Sequence, residues 1–150
     1  MKRRLFLTSL VATPTLFGTS SALAMKPEIF ASRGIAIRGY DPVAYFKQRR
    51  PVRGNSKYET EYKGAVFRFA NAENLADFIA NPAKFAPQYG GYCAWAVSHG
   101  YTASIDPDAW TIEGDKLYLN YSLRVRSQWE ADKQNRITLA DENWPAVLNR

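Results

Sequence analysis

Cys93 and His99 are the single cysteine and the single histidine of a 150-residue chain. Thiolate and imidazole are the side chains that suit copper or zinc. Held within hydrogen-bond reach, the same two groups make a nucleophile and its base. Having one of each excludes an intramolecular disulfide, a tetracysteine zinc site and any site built from two histidines of one chain. On a continuous helix the spacing from 93 to 99 rotates the side chains by about 240°. That puts His99 on the face of Tyr92 and Trp95 and Cys93 on another. The two meet only if the helix ends near Val97 and the chain turns back, which Gly100 permits. The other reading is a small buried Cys93 packed beside Ala94, Ala96 and Val97, with His99 at the helix C-terminus. The acids Asp41, Asp106 and Asp108 each adjoin a proline, a setting in which aspartate caps helices and forms turns. Paired carboxylates also bind hard cations or flank a scissile bond. Tyr40, Tyr45, Tyr89, Tyr92 and Tyr101 supply hydroxyls for either a ligand pocket or a hydrogen-bonded core. Of these, Tyr40, Tyr89 and Tyr92, with Asp41, make the candidate ligand pocket. No phosphate loop, dinucleotide fingerprint or haem attachment motif is present.

The elements that must position these residues are short. Gly34-Ile35-Ala36-Ile37-Arg38-Gly39 reads as a strand between glycines. Asp41-Pro42 has the form of a helix start, with Val43, Ala44, Tyr45 and Phe46 following. Residues 57–69 read as a hairpin: Tyr58, Thr60 and Tyr62 alternate with charged residues, and Lys63-Gly64 makes the turn. Asn71 caps a helix with Leu75, Phe78 and Ile79 on its buried face. Asn81-Pro82 ends it and starts another turn. Residues 92–97 predict a small apolar helix after Gly90-Gly91. Residues 110–119 predict a second hairpin around Glu113-Gly114-Asp115. Asn120 is expected to cap a helix with Leu123, Val125 and Trp129 inward, and a last helix is expected around 141–148. The mix of hairpins and short helices gives an α+β class, a small antiparallel sheet with helices packed on it.

A hydrophobic fraction of 46% and a charged fraction of 23% suit one ordinary globular domain. Lys2, Arg3 and Arg4 supply half of the net charge of +6. The remaining cluster, Lys47-Gln48-Arg49-Arg50 with Arg53, reads as a solvated loop and not as a nucleic-acid surface. Residues 1–24 read as an export signal. A basic start is followed by an apolar stretch to Gly18, then by Ala22-Leu23-Ala24, an A-x-A cleavage pattern. The stretch is short and interrupted by Pro14, so no stable membrane anchor is expected. Arg3-Arg4-Leu5-Phe6-Leu7 resembles the twin-arginine export motif; the alternative is the general secretion route. The expected location is the periplasm, with cleavage after Ala24 and one domain over residues 25–150. A lone thiol in that oxidising space needs burial, a metal or a task.

Three segments carry a family likeness together: Gly39-Tyr40-Asp41-Pro42-Val43-Ala44-Tyr45-Phe46, then Tyr62-Lys63-Gly64-Ala65-Val66-Phe67-Arg68-Phe69, then the run from Phe78 through Gly90-Gly91-Tyr92-Cys93-Ala94. With Asp106-Pro107-Asp108-Ala109-Trp110 and Leu117-Tyr118-Leu119-Asn120, the chain resembles the exported branch of the YHS domain family over residues 35–145. The resemblance implies metal handling, since YHS domains recur beside heavy-metal transport ATPases. In the shorter members cysteines follow the second strand of the hairpin. The matching stretch here, Phe69-Ala70-Asn71-Ala72-Glu73-Asn74, has none, which leaves Cys93 as the soft ligand.

Three functions follow as expectations. The first is a non-enzymatic periplasmic protein that binds or handles metal, copper before others, through Cys93 and His99. One thiol and one imidazole make a poor mononuclear site, so a homodimer or an open two-ligand site is implied. The second is a metal-free accessory module whose aromatic pocket holds a small ligand or a partner segment. The third is a thiol-dependent enzyme. The sequence reading favours a partly buried, functional thiol on the floor of a cleft near Tyr89 or His99.

Overall fold

In a computed structural model that describes residues 25–150, short strands and helices follow one another along the chain, the first of them, β1, not expected from the sequence. They are β1 (Ala31–Ser32), β2 (Ile35–Ala36), α1 (Pro42–Lys47), β3 (Asn55–Tyr62), β4 (Ala65–Phe69), α2 (Ala72–Ala80), α3 (Pro82–Phe85), α4 (Ala94–Ser98), β5 (Trp110–Glu113), β6 (Lys116–Leu119), α5 (Leu123–Ala131) and α6 (Lys133–Asn143). Turns of 3-10 helix occupy Ile37–Gly39, Gln88–Gly91 and Ala146–Asn149. The export-signal reading of residues 1–24 lies outside the described residues. No helix among the described residues is long and apolar enough to cross a membrane.

The fold is α+β. One sheet has the order β1-β2-β4-β3, and β5 and β6 form a separate hairpin. The β3–β4 hairpin turns through Lys63 at φ 48° and Gly64 at φ 82°, the two left-handed positions that suit the twist of a tight hairpin. The four-stranded sheet is mixed where an antiparallel one was expected: β2 runs parallel to β4, with Ile35 opposite Val66. The chain between them, through α1 and β3, is long enough for the crossover that parallel strands need.

Five local expectations change. Ile79, expected on the buried face of α2, is exposed, while Phe78 is buried. The strand read at 34–39 stops after Ala36, because Ile37 and Arg38 take positive φ of 50° and 51° and coil the chain. The helix read at 92–97 begins at Ala94, with Cys93 as its N-cap. Asn120 does not cap α5; Ser122 does, its hydroxyl accepting the Val125 N–H at 3.1 Å. Leu123 is consequently exposed, while Trp129 is buried. The last helix begins eight residues before the expected start, as α6, with a 3-10 turn after it. Its sequence is mostly polar, and Ile137 and Ala140 alone among its residues join the core packing, too sparse a stripe to announce a helix.

Two packed regions meet at α4. The larger gathers Phe67, Phe69 and Phe78 with Tyr45, Leu117 and Leu119; Phe67 stacks on Phe78 with ring centroids 4.9 Å apart. The smaller gathers Trp129, Tyr118, Val147 and Leu148. Cys93 and Ala96 face the first, and Ala94 and Val97 face the second. The segment before β1 lies against the turn that precedes α4. The Phe30 N–H donates to the Gly90 carbonyl at 2.9 Å. At φ +61° Gly90 leaves no room for a Cβ, which would stand 1.7 Å from the Glu28 carbonyl oxygen.

Candidate functional site

Cys93 is held by its backbone before its side chain is considered. Its N–H donates to the Ala103 carbonyl at 3.0 Å, and its carbonyl accepts the Val97 N–H that opens α4. The loop after α4 therefore folds back over the helix start. The residue is 1% exposed, more buried than the sequence reading expected. Its S–H donates to Asn120 Oδ1 at 3.6 Å. Burial pushes the thiol above its ordinary range, while the backbone N–H groups of Ala96, Tyr121 and Trp95 pull it partly back. The protonated thiol is the form this setting favours at neutral pH.

Asn120 follows β6 and is completely buried. Its N–H donates to Ala109 and its carbonyl accepts from Asp106, both at 2.9 Å. Its Oδ1 accepts the Trp95 N–H at 3.0 Å as well as the thiol. A backbone donor thus fixes which end of the carboxamide is oxygen. The other end, Nδ2, has no acceptor among the described residues.

Over the thiol lies a cleft of about 230 Å³, lined by Cys93, Trp95, Tyr101, Ala103, Tyr121 and Val125. Four stretches of chain build it: the start of α4, the loop after it, the residue following Asn120, and the first turn of α5. Tyr101 and Tyr121 are 49% and 57% exposed and form its mouth. Among the described residues, no carboxylate, guanidinium or ammonium group lines it. Thiol, tyrosine hydroxyl and apolar surface are what it offers a guest.

His99 is the C-cap of α4, so Cys93 and His99 stand at opposite ends of the same short helix. At 1.5 Å per residue that is about 9 Å along the axis, on different faces. The His99 ring packs on Trp95 with centroids 4.6 Å apart. Its Nε2 stands 3.1 Å from an Arg136 guanidinium nitrogen, and that guanidinium lies over Trp95, 4.5 Å from the ring centroid. His99 does not line the cleft. Within one chain these residues do not close around copper or zinc, and no group of three or more His, Cys, Asp or Glu comes together among the described residues.

The structure does not gather Tyr40, Asp41, Tyr89 and Tyr92 into one pocket. Asp41 is completely buried. Its Oδ1 accepts the Val43 and Ala44 N–H groups at 2.8 and 3.3 Å. Its Oδ2 accepts Ala70 N–H at 2.8 Å and Asn74 Nδ2 at 2.7 Å. Tyr40 carries the Arg53 guanidinium 5.0 Å over its ring. The Tyr92 hydroxyl donates to the Pro27 carbonyl at 2.7 Å. The Tyr89 hydroxyl donates to Asp141 at 2.8 Å, and burial, then that carboxylate, push it far above the usual phenol range. Tyr89 also lines a separate cavity of about 170 Å³ beside the Glu28–Lys63 ion pair. The Tyr45 hydroxyl donates to the Pro107 carbonyl at 2.8 Å, and Asp106 accepts the Asp108 N–H at 2.9 Å as a turn former. Trp95, Ala103, Tyr121 and Val125 line the cleft and Asn120 bonds its thiol, yet sequence reasoning singled out none of them as site residues. The one signal for Asn120 was an amide ending the apolar run Leu117-Tyr118-Leu119, which reads equally well as a cap. Comparison with protein-family models, curated proteins and solved structures finds no match to this chain.

Proposed function

We propose that the chain is a non-enzymatic binding module and that its ligand seat is the cleft over Cys93. The observation that carries this is the position of the sole thiol at the base of an aromatic-walled space with an open mouth. Concave, mainly apolar spaces with a few polar groups are where small molecules bind. Binding is favoured over thiol catalysis because the thiol's side-chain partner is an amide, which takes no proton, and the only imidazole is at the other end of α4. A periplasmic accessory role fits the export reading of residues 1–24. The YHS likeness supports a second reading, copper handling, in which Cys93 gives one soft donor and the remaining donors come from a second chain or the cargo's own ligands.

Small and bulky thiol reagents, applied to the native protein, test the reading. A methanethiosulfonate of methyl size is expected to label Cys93, while a bulky aromatic disulfide is not. Val125→Trp, which fills the cleft, is expected to block the small reagent too. A thiol that reacts only after denaturation overturns the proposal. One copper per chain, lost in Cys93→Ser, replaces it with the metal reading.

A further inference from the structure

We infer that Asn120 is a positioning residue for the sole thiol: its carboxamide oxygen holds Cys93 in the S–H form and so keeps the floor of the proposed seat unreactive. The inference rests on that seat only for the access of a reagent to the sulfur. Two sets of groups compete around one sulfur atom. Cys93 is the N-cap of α4, and the backbone N–H groups of Ala96, Tyr121 and Trp95 are directed at its sulfur. Backbone donors at a helix start favour the thiolate, the form that attacks disulfides and meets oxidants. Burial favours the thiol, and Asn120 adds to that side in two ways. Its Oδ1 accepts the S–H at 3.6 Å, a bond that exists only while the proton is in place. The same oxygen accepts the Trp95 N–H at 3.0 Å, which engages one of the donors a thiolate would use.

The residue type suits this task. A carboxamide oxygen accepts both bonds and stays neutral at every pH the fold survives. A leucine of the same size would accept neither, and an aspartate would set a second ionisable group against the thiol. The nitrogen end contributes nothing comparable: Nδ2 is buried and has no acceptor among the described residues, so the fit of an amide to this position lies in its oxygen. Both partners stand on fixed backbone. Asn120 is bonded to Ala109 and Asp106, and Cys93 to Ala103 and Val97. In the oxidising compartment proposed for the chain, a thiol held in this way is slow to form mixed disulfides.

The test is the pH profile of Cys93 labelling by methyl methanethiosulfonate, which reacts with the thiolate, in wild type and in Asn120→Leu. The midpoint of the profile reads ionisation, and the overall rate scale reads access. A floor that is merely loosened speeds labelling equally at every pH and leaves the midpoint alone. Asn120→Leu is expected to lower the midpoint by about one pH unit, so that labelling below it is about tenfold faster, as the loss of one hydrogen bond to the thiol gives. An unmoved midpoint overturns the inference, whatever the rate scale does. The Raman S–H stretch of the wild-type protein needs no variant, and one cysteine gives one band. A band lowered from that of an unbonded thiol is expected, and a band at the unbonded frequency overturns the inference. If Cys93 is not labelled before denaturation, the seat reading falls, and the Raman band alone decides the role of Asn120.

Discussion

Asp41 and Asn120 are both completely buried polar residues in the chain's interior, yet their surroundings have opposite logic. Asp41 receives four donors, two on each carboxylate oxygen, from α1, from the residue after β4 and from α2. Nothing of it is left over for a ligand, and it ties three pieces of chain to one point. Among the described residues, Asn120 has its oxygen used twice and its nitrogen not at all, and it stands beside a thiol that floors an open space. Saturation marks a polar group kept for architecture. A buried donor without a partner marks a place where structure alone does not account for the residue.

The largest effect is expected at Asp41. Asp41→Ala strands two helix-start N–H groups, the Ala70 N–H and the Asn74 amide, and is expected to cost about 3–5 kcal/mol in denaturant unfolding. Below its denaturation midpoint it should leave the native labelling of Cys93 unchanged. Asn120→Ala removes the acceptor of the Trp95 N–H and also the orphan donor, so its cost should be smaller, about 1–3 kcal/mol, and Cys93 should label faster as the floor opens. A reversal of that order would dissolve the contrast between the two centres.

Cys93→Ser sharpens the second centre further. A hydroxyl in this apolar position is expected to cost about 1–3 kcal/mol at neutral pH. The native thiol is pushed above its ordinary value of 9.0 by burial, so its stabilising contribution is complete below pH 9. It declines as the pH rises, because the unfolded chain ionises its thiol first. The stability gap between wild type and Cys93→Ser should therefore narrow above pH 9, as read by urea unfolding at several pH values. The smallest effect belongs to His99→Gln, within about 0.5 kcal/mol and with no change in Cys93 labelling. Loss of labelling in that variant would show that the two caps of α4 are coupled after all.

What was legible in the sequence is what local rules govern. Alternating aromatics and a Lys-Gly turn sufficed for the β3–β4 hairpin, and Asp41-Pro42 sufficed for the start of α1, because the signal and the structure lie within a few residues. Asn120 shows the limit. Its side chain had a plausible local use as a cap, and Ser122, two residues on, took that use instead. The partner that draws Asn120 inward, the Trp95 N–H, is distant in sequence, and no periodicity announces it. The same holds for the cleft, whose walls come from separate stretches that only tertiary packing brings together. His99 was legible as a helix end, since Gly100 follows it, but its Arg136 neighbour arrives from α6, a helix whose polar sequence concealed it.

The segment ahead of β1 has a consequence for how the fold opens. The Lys26 N–H donates to the Leu148 carbonyl at 2.9 Å, and its ammonium meets the Arg150 carbonyl, 124 positions away. Such a closure spans almost the whole described chain, and loop entropy makes it the costliest contact to form. Phe30, bonded to Gly90, and Pro27, bonded to Tyr92, sit deeper along the same strap. In native-state hydrogen exchange the Lys26 amide should accordingly exchange well before that of Phe30, as a zip released from one end. The cleft, which uses no residue of the strap, should keep its protection while the zip is open.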